Sequence, residues 1–170
     1  DRSEFDLKAR EWTIPAHRSK NGLPHIVPLS DQACRVIKAI PKVDGSAKLF
    51  VARGNDERGP SGFSKGMKRL RTAMEGKLEV KPGTLPRWTL HDIRRTVATG
   101  MQRLGIRYEV TEAVLNHISG SRAGIAGVYQ RHDWKNEKCA ALEAWAREID
   151  RIRRVKRGSA SNVVKLERRG

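Results

Sequence analysis

The pattern of apolar residues changes along this chain, from short strand-like runs near the start to helical spacing in the remainder. Three short runs are rich in β-branched, aromatic or aliphatic residues and are separated by polar segments: residues 5–7, 11–14 and 25–28. Asn21-Gly22, between the second and third runs, is typical of a tight β-turn. The sequence therefore predicts a small antiparallel sheet at one edge of the fold, with Lys20 at or near the tip of a β-hairpin.

Helical spacing dominates the rest of the sequence. Apolar residues recur at three- and four-residue intervals in five segments: about 30–40, 61–77, 89–104, 108–116 and 135–155. Ser30 and Thr89 are typical N-cap residues, and Gly105 is a typical residue just after a helix end. Residues 49–51 are predicted as a short strand or extended segment. The predicted fold class is α+β, mainly helical.

The charge balance favours a polyanionic partner. Lys and Arg number 35 against 19 Asp and Glu, so the formal net charge is +16. A surplus of this size on a small domain indicates nucleic acid, although a well-solvated basic surface is the plain alternative. The candidate DNA-backbone contacts, which are equally consistent with solvated helix faces, are Lys65, Lys68, Arg69, Arg71 and Arg95.

Several other classes of protein are disfavoured. The two cysteines, Cys34 and Cys139, lack metal-ligand spacing, so we expect reduced thiols packed on helices, as in a cytosolic protein. No apolar stretch approaches the roughly 20 residues of a membrane span, and no signal peptide is present. No clustered carboxylates suit a metal-dependent nuclease. We expect no metal, no cofactor and no membrane partner.

One ordered set of residues indicates phosphodiester chemistry: Lys20, His91, Arg94, His117 and Tyr129. A phenol with an ordinary pKa of about 10 is rarely ionised near neutral pH, so its attack on a phosphate needs adjacent positive charge or a base. The phosphate gains charge in the transition state, and an arginine can bind two of its oxygens. The leaving 5′-oxygen needs a proton donor.

Each of these roles has a matching residue. We expect Arg94 to bind the phosphate, with His91 one helical turn before it on the same face. His117 is a second donor or a proton shuttle, unless it only complements the dipole of a helix end. Lys20 is the candidate general acid, although a lysine in a turn is often only a solvated charge.

The chain has two tyrosines. Tyr108 opens a helix in an apolar context, and we expect it to pack. Tyr129 lies in an Arg-containing segment after His117 and is the candidate nucleophile. Because residues 120–127 are rich in Gly and Ala, we expect that Tyr129 can be displaced when no DNA is bound.

Four segments resemble motifs of the tyrosine recombinases of the phage integrase family. Ser19-Lys20-Asn21-Gly22 resembles the β-hairpin lysine motif, and Leu90-His91-Asp92-Ile93-Arg94-Arg95-Thr96 resembles the His-x-x-Arg helix start. Leu115-Asn116-His117 resembles the Leu-Gly-His motif with Asn in place of Gly, and Val128-Tyr129-Gln130-Arg131 resembles the segment that carries the nucleophile. Tyr129 follows His117 by 12 residues, which resembles integrases of genomic islands and prophages. The resemblance covers about residues 4–152 and implies the DNA breaking-rejoining catalytic fold.

The resemblance also implies an activity and partners. It implies site-specific recombination at double-stranded DNA attachment sites through a 3′-phosphotyrosyl intermediate, by a bacterial or phage-encoded cytoplasmic protein. It further implies a homotetramer on DNA, with a monomer or weak oligomer in its absence. Residues 1–156 would form the catalytic domain, and the basic tail 157–170 would be disordered or dock on a neighbour.

The family uses one further arginine, in an Arg-x-x-Glu motif upstream of the hairpin. Residues 3–7 resemble the segment that shortly follows this motif, so we expect that arginine to lie before Asp1. We therefore expect this piece alone to be inactive or impaired.

Two other functions stay open at this point. A non-catalytic DNA-binding remnant of an integrase would tolerate the substitution Tyr129→Phe. A type IB topoisomerase would relax supercoils by the same chemistry without a partner duplex.

Overall fold

The computed structural model describes residues 1–52, 59, 61–117 and 134–158, with side chains described through Arg154. Over these residues a small sheet precedes the helices: β1 (Phe5–Asp6), β2 (Glu11–Ile14), β3 (His25–Pro28), α1 (Asp31–Ala39), α2 (Phe63–Lys77), α3 (Leu90–Arg103), α4 (Tyr108–Val114) and α5 (Lys135–Gly158). Two short 3₁₀ helices, Arg2–Glu4 and Ala16–Arg18, flank the first two strands. The predicted α+β, mainly helical organisation is confirmed for the part of the chain described.

The sheet is antiparallel, with the strand order β1-β2-β3. Trp12 pairs with Phe5 on one side and Val27 on the other, and the Phe5 and Trp12 rings stack with their centroids 5.2 Å apart. The turn after β1 forms because the Asp6 carboxylate accepts hydrogen bonds from the main-chain N–H groups of Lys8 and Ala9, at 2.9 and 2.8 Å. These local signals explain why so short a first strand forms.

The connection from β2 to β3 carries Lys20. It passes through the 3₁₀ helix Ala16–Arg18 and then turns, with the Gly22 N–H donating to the Ser19 carbonyl at 3.1 Å. Gly22 has φ +68°, which is the left-handed conformation that glycine adopts without strain. The prediction that Lys20 lies at the hairpin turn is confirmed.

Helix ends agree with the capping signals to within a few residues. The Ser30 side chain accepts a hydrogen bond from the Ala33 N–H at 3.2 Å, which is the predicted N-cap of α1. Helix α2 begins two residues later than predicted, because Gly62 has φ +77° and leaves the helical conformation. Residues 49 and 50 form a bend and residue 51 has no regular structure, so of the short strand or extended segment predicted for 49–51 the strand does not form.

The core lies where α3, α4 and α5 meet. Met101, Val110 and Ala141 are its buried centre, one from each helix, and Trp145 and Leu142 of α5 pack against them. Met101 has no exposed surface. Burial of these apolar groups is the main favourable term that fixes α3 and α4, and therefore their polar residues, relative to α5.

Helix α5 also holds the sheet. The Lys138 ammonium donates to the Ile26 carbonyl at 2.8 Å, and Lys138 is itself buried. Arg10 donates to the Leu29 carbonyl at 3.2 Å and pairs with the Glu143 carboxylate on α5. Because these bonds tie β3 and its neighbours to α5, the base of the Lys20 hairpin is fixed relative to the helical core.

Some burial predictions were wrong. The apolar residues of α2 form a helix as predicted, but Phe63 and Leu70 are 58% and 47% exposed. Tyr108 is 66% exposed rather than packed, and Cys139 is exposed whereas Cys34 is buried. The exposed side chains among these lie on helix faces that the described elements do not cover.

Candidate active site

The start of α3 presents two of the predicted residues. The Asp92 carboxylate accepts hydrogen bonds from the Thr89 main-chain N–H at 2.9 Å and from the Thr89 hydroxyl at 2.8 Å. These bonds from Thr89 lower the pKa of Asp92, so the carboxylate stays ionised at the positive end of the helix. His91 and Arg94 therefore lie in the first two turns of a helix whose start is fixed by the cap.

Arg94 reaches the end of the next helix. Its guanidinium donates a hydrogen bond to the Leu115 carbonyl, and the Arg94 side chain is half-buried there. A guanidinium has five N–H donors, so a single bond to a carbonyl orients the group and still leaves donors for an anion. The contact places the Arg94 charge beside the turn that leads into His117.

That turn has the geometry of a Schellman motif. The N–H groups of Asn116 and His117 donate back to the carbonyls of Ala113 and Glu112, at 3.3 and 2.9 Å. Asn116 has φ +54°, the left-handed conformation that favours Gly and, next, Asn. The family's Gly at this position and the Asn found here therefore meet the same backbone requirement.

His117 is oriented by a carboxylate. Its Nδ1 lies 3.0 Å from Glu112 Oε1, and the imidazole is 45% exposed while the Glu112 side chain is 14% exposed. A carboxylate on one ring nitrogen fixes the ring orientation and leaves Nε2 as the atom that exchanges a proton with a substrate. Sequence reasoning did not single out Glu112, although its position five residues before His117, in the last turn of α4, was a usable signal.

The Lys20 hairpin lies against the same turn. Asn21 Nδ2 donates to Asn116 Oδ1 at 2.9 Å, and Asn116 Nδ2 donates to Ser19 Oγ at 3.1 Å. The residues on both sides of Lys20 thus contact the residue between Leu115 and His117. Lys20 itself is exposed. The structure therefore brings together the segments that carry Lys20, Arg94 and His117, which are far apart in sequence.

A basic groove adjoins the start of α3. It has a volume of about 480 Å³ and lies between α2 and α3. Its polar lining includes the predicted residues His91, Lys68 and Arg71, and Arg87 adds a further cation. Apolar and aromatic side chains complete the wall, among them the exposed Phe63 and the half-buried Trp88.

The other predicted DNA contacts lie elsewhere. Lys65 and Arg69 are exposed on α2 but do not line the groove. Arg95 is 3.4 Å from the Asp92 carboxylate and lines a separate cavity between α3 and α5. Helix α5 runs through residue 158, so the first two residues of the predicted tail 157–170 are helical. Tyr129, the 120–127 segment and the rest of that tail lie outside the described residues, so their predicted roles stay predictions.

The loop before α3 is held by a buried carboxylate, Glu75, that the sequence analysis did not identify. Glu75 on α2 is 4% exposed, and its Oε1 accepts hydrogen bonds from the main-chain N–H groups of Gly83 and Leu85, at 2.9 and 3.1 Å. These bonds order the loop that leads to Thr89 and His91. In the sequence Glu75 is one more charge on a basic helix, so nothing distinguished it.

The described part of the chain offers neither a metal-binding cluster nor a membrane-spanning helix. Across 1–52, 59, 61–117 and 134–158, no group of three or more His, Cys, Asp or Glu side chains is placed to hold a metal ion. No helix within the same ranges is long and apolar enough to cross a membrane.

Comparisons with a family model and with a curated protein gave matches that cover most of the chain. The model of the phage integrase family matches residues 1–133. The prophage integrase IntA of Escherichia coli (strain K12) is 26% identical over 143 residues, which cover 84% of this chain. The match spans only 32% of that relative's length. No solved structure gives a significant match to the chain.

Proposed function

Because the chain belongs to the phage integrase family, we propose that it supplies the catalytic residues for site-specific DNA recombination through a 3′-phosphotyrosyl intermediate. The observation that carries the proposal is the convergence of three segments. The Arg94 guanidinium binds the carbonyl that precedes Asn116-His117, and Asn116 binds both neighbours of Lys20. A phosphate placed beside this turn would meet a planar cation, an imidazole and a lysine.

The reaction assigned to this site is a reversible transesterification. The Tyr129 oxygen attacks the scissile phosphorus while its phenolic proton passes to Nε2 of His117, and the bond from phosphorus to the 5′-oxygen breaks. Lys20 gives its proton to the departing 5′-oxygen, and the products are a 3′-phosphotyrosyl bond and a free 5′-hydroxyl. The 5′-hydroxyl of a partner duplex reverses the step, so no external energy source is required.

Arg94 and the two histidines stabilise the transition state. Arg94 binds two non-bridging oxygens, because its fork matches their spacing and its charge offsets the charge gained by the phosphate. His91 lies one turn earlier on α3 and donates to the same phosphate. His117, held by Glu112 through Nδ1, uses Nε2 as a donor or proton shuttle.

The basic groove binds the DNA next to the scissile phosphate. Lys68 and Arg71 line it together with His91, and the chain as a whole carries a formal charge of +16. Each phosphate contact releases counterions, so binding weakens steeply as salt rises. We place the remaining cationic contacts on Lys65, Arg69 and Arg95, which lie on exposed surface.

The assembly is also a proposal. The active complex is a homotetramer on two DNA sites, and the chain is a monomer or weak oligomer without DNA. Membership of the family supports this assignment. The exposed apolar side chains of α2 provide a surface that a neighbouring protomer could contact. Light scattering with and without a DNA site would measure the change of mass directly.

Covalent trapping tests the proposed reaction. The chain, and the longest protein that contains it, are mixed with nicked DNA from the ends of the element that encodes it, and denaturing gels detect protein–DNA adducts. We expect the longer protein to give an adduct that disappears with Tyr129→Phe and persists with Tyr108→Phe, the matched control at the chain's other tyrosine, and this piece alone to give little or none.

Other outcomes would replace the proposal. Shifted DNA without any adduct would favour a non-catalytic DNA-binding remnant. Relaxation of supercoiled plasmid lacking a specific site would favour a type IB topoisomerase. An adduct that requires a divalent cation would contradict the metal-independent mechanism.

A further inference from the structure

Three side chains from distant parts of the sequence form a closed hydrogen-bond ring. Ser19 Oγ donates to Asn21 Oδ1 at 2.6 Å, Asn21 Nδ2 donates to Asn116 Oδ1 at 2.9 Å, and Asn116 Nδ2 donates to Ser19 Oγ at 3.1 Å. Each member donates once and accepts once. Hydrogen bonds that run in one direction around a ring polarise one another, and all three side chains are half-buried.

Asn116 is suited to this ring in two separate ways. Its backbone has φ +54°, which β-branched and bulky residues avoid. Its amide also supplies both an acceptor for Asn21 and a donor for Ser19. Gly would meet only the first requirement. Asp would tolerate the backbone but, when ionised, could not donate to Ser19.

The ring lies between two parts of the proposed active site. On one side it contains Ser19 and Asn21, which flank Lys20. On the other side it contains Asn116, which follows the Leu115 carbonyl bound by Arg94 and precedes His117. The Asn21 side chain also accepts from the Leu23 N–H at 3.1 Å, so the ring is connected to the backbone of the turn itself.

We infer that Asn116 is a positioning residue, whose amide holds the Lys20 hairpin against the turn that carries His117 and thereby sets where Lys20 delivers its proton. This inference rests on the proposed function. In this role Asn116 acts through the hairpin and need not contact the DNA. The Lys20 side chain stays exposed, while hydrogen bonds hold the side chains of the residues before and after it.

Limited trypsin digestion tests the ring without any activity. Trypsin cuts after Lys20 and Arg18, and mass spectrometry follows each peptide. We expect Asn116→Gly and Ser19→Ala to raise the rate of these cuts by about fivefold or more. Loss of one or two hydrogen bonds increases by about that factor the fraction of molecules in which the hairpin is open to the protease. Cuts after Lys8 and Lys38 should keep their rates.

The matched control is Glu79→Gly. Glu79 ends α2 in the same left-handed conformation as Asn116, with φ +54°, and lies in an equivalent helix-terminal turn. It therefore reproduces the backbone change without touching the ring. We expect unchanged cutting at the hairpin. Equal cutting in wild type and Asn116→Gly would overturn the inference, even if the protein forms a covalent adduct with DNA.

A substrate with sulfur in place of the bridging 5′-oxygen tests the role in proton delivery. A thiol has an ordinary pKa of about 8.5, so its anion leaves without a proton from Lys20. We expect Asn116→Gly to slow adduct formation about tenfold on the oxygen substrate and to match wild type on the sulfur substrate, as Lys20→Ala should.

The outcomes separate the two proposals. If the longest protein that contains the wild-type chain forms no adduct on either substrate, the proposed function fails, and the inference about proton delivery fails with it. If wild type reacts and Asn116→Gly is equally fast on oxygen, the proposed function stands and the inference is wrong. If the variant is slow on both substrates, Asn116 supports the fold of the site generally, and the inference is again wrong.

Discussion

The Arg94 guanidinium donates a hydrogen bond to the main-chain carbonyl of Leu115, two residues before His117. The two partners lie 21 residues apart in sequence, Arg94 on α3 and Leu115 just after the end of α4. The bond orients the side chain proposed to bind the scissile phosphate, and it does so through a backbone atom that no substitution at position 115 removes.

Replacing Arg94 by Lys should therefore reduce adduct formation strongly while retaining the charge. A lysine cannot bind the Leu115 carbonyl and two phosphate oxygens at once. We expect a loss of about 100-fold or more in the rate, typical of one lost transition-state donor. Single-turnover assays on nicked DNA would measure it. Arg103→Lys, at the exposed end of the same helix, is the control, and equal losses in both variants would contradict the role of Arg94.

Gly100 is required for the packing of α3 on α5. A Cβ atom added there would lie 2.6 Å from Cη2 of the Trp145 ring, which is too close for any van der Waals contact. We expect Gly100→Ala to lower the free energy of unfolding by about 1–3 kcal/mol, measured by urea titration.

The control for that variant is Gly66→Ala in α2, where an added Cβ meets nothing within 4 Å. Ala has the higher helix propensity, so this change should be neutral or slightly stabilising. Similar destabilisation by the two variants would show that the Trp145 contact is not the cause.

Glu75 should prove more important than an ordinary charge on a basic helix. Its removal in Glu75→Ala leaves the N–H groups of Gly83 and Leu85 without their acceptor, at a cost of about 1–3 kcal/mol. Glu75→Gln keeps one oxygen acceptor and should lose less. Hydrogen exchange at the Gly83 and Leu85 amides would measure the effect, and slow exchange in Glu75→Ala would refute it.

The cap of α3 predicts a dependence on acid. Hydrogen bonds from Thr89 lower the pKa of Asp92, so its contribution to stability is complete above the ordinary Asp value of about 3.9. That contribution is lost as pH falls through the lower, folded-state pKa. Asp92→Asn should therefore reduce the urea midpoint at pH 7 and make little difference at pH 2.

Asp44→Asn, in an exposed turn before α2, removes one carboxylate charge without touching the cap. It separates the effect of the cap from that of net charge. A loss of stability in Asp92→Asn that is equal at pH 7 and pH 2 would contradict this account.

Local signals predicted much of the fold. Ser30 caps α1, Thr89 begins α3 and Gly22 allows the turn beside Lys20, because each acts through backbone groups within a few residues. The strands of the small antiparallel sheet and the long amphipathic α5 followed from the pattern of apolar residues. The sequence also identified the segments of Lys20, Arg94 and His117 as parts of one site.

Contacts between distant segments could not be predicted in the same way. The bond from Asn21 to Asn116 joins residues 95 apart, and nothing local to either residue indicates the other. Tyr108 has the spacing of a packed residue but is exposed, because burial depends on which neighbouring element covers a face. The burial of Glu75 depends on the path of a loop that its own helix does not determine.

The central claim is that Tyr129 forms the covalent bond to DNA. Protease digestion of the trapped adduct, followed by mass spectrometry of the peptide that carries the nucleotide, would test it most directly. The account predicts a nucleotide linked through its 3′-phosphate to Tyr129. A link to Tyr108 or to a serine, or a 5′-phosphate linkage, would contradict the proposed mechanism.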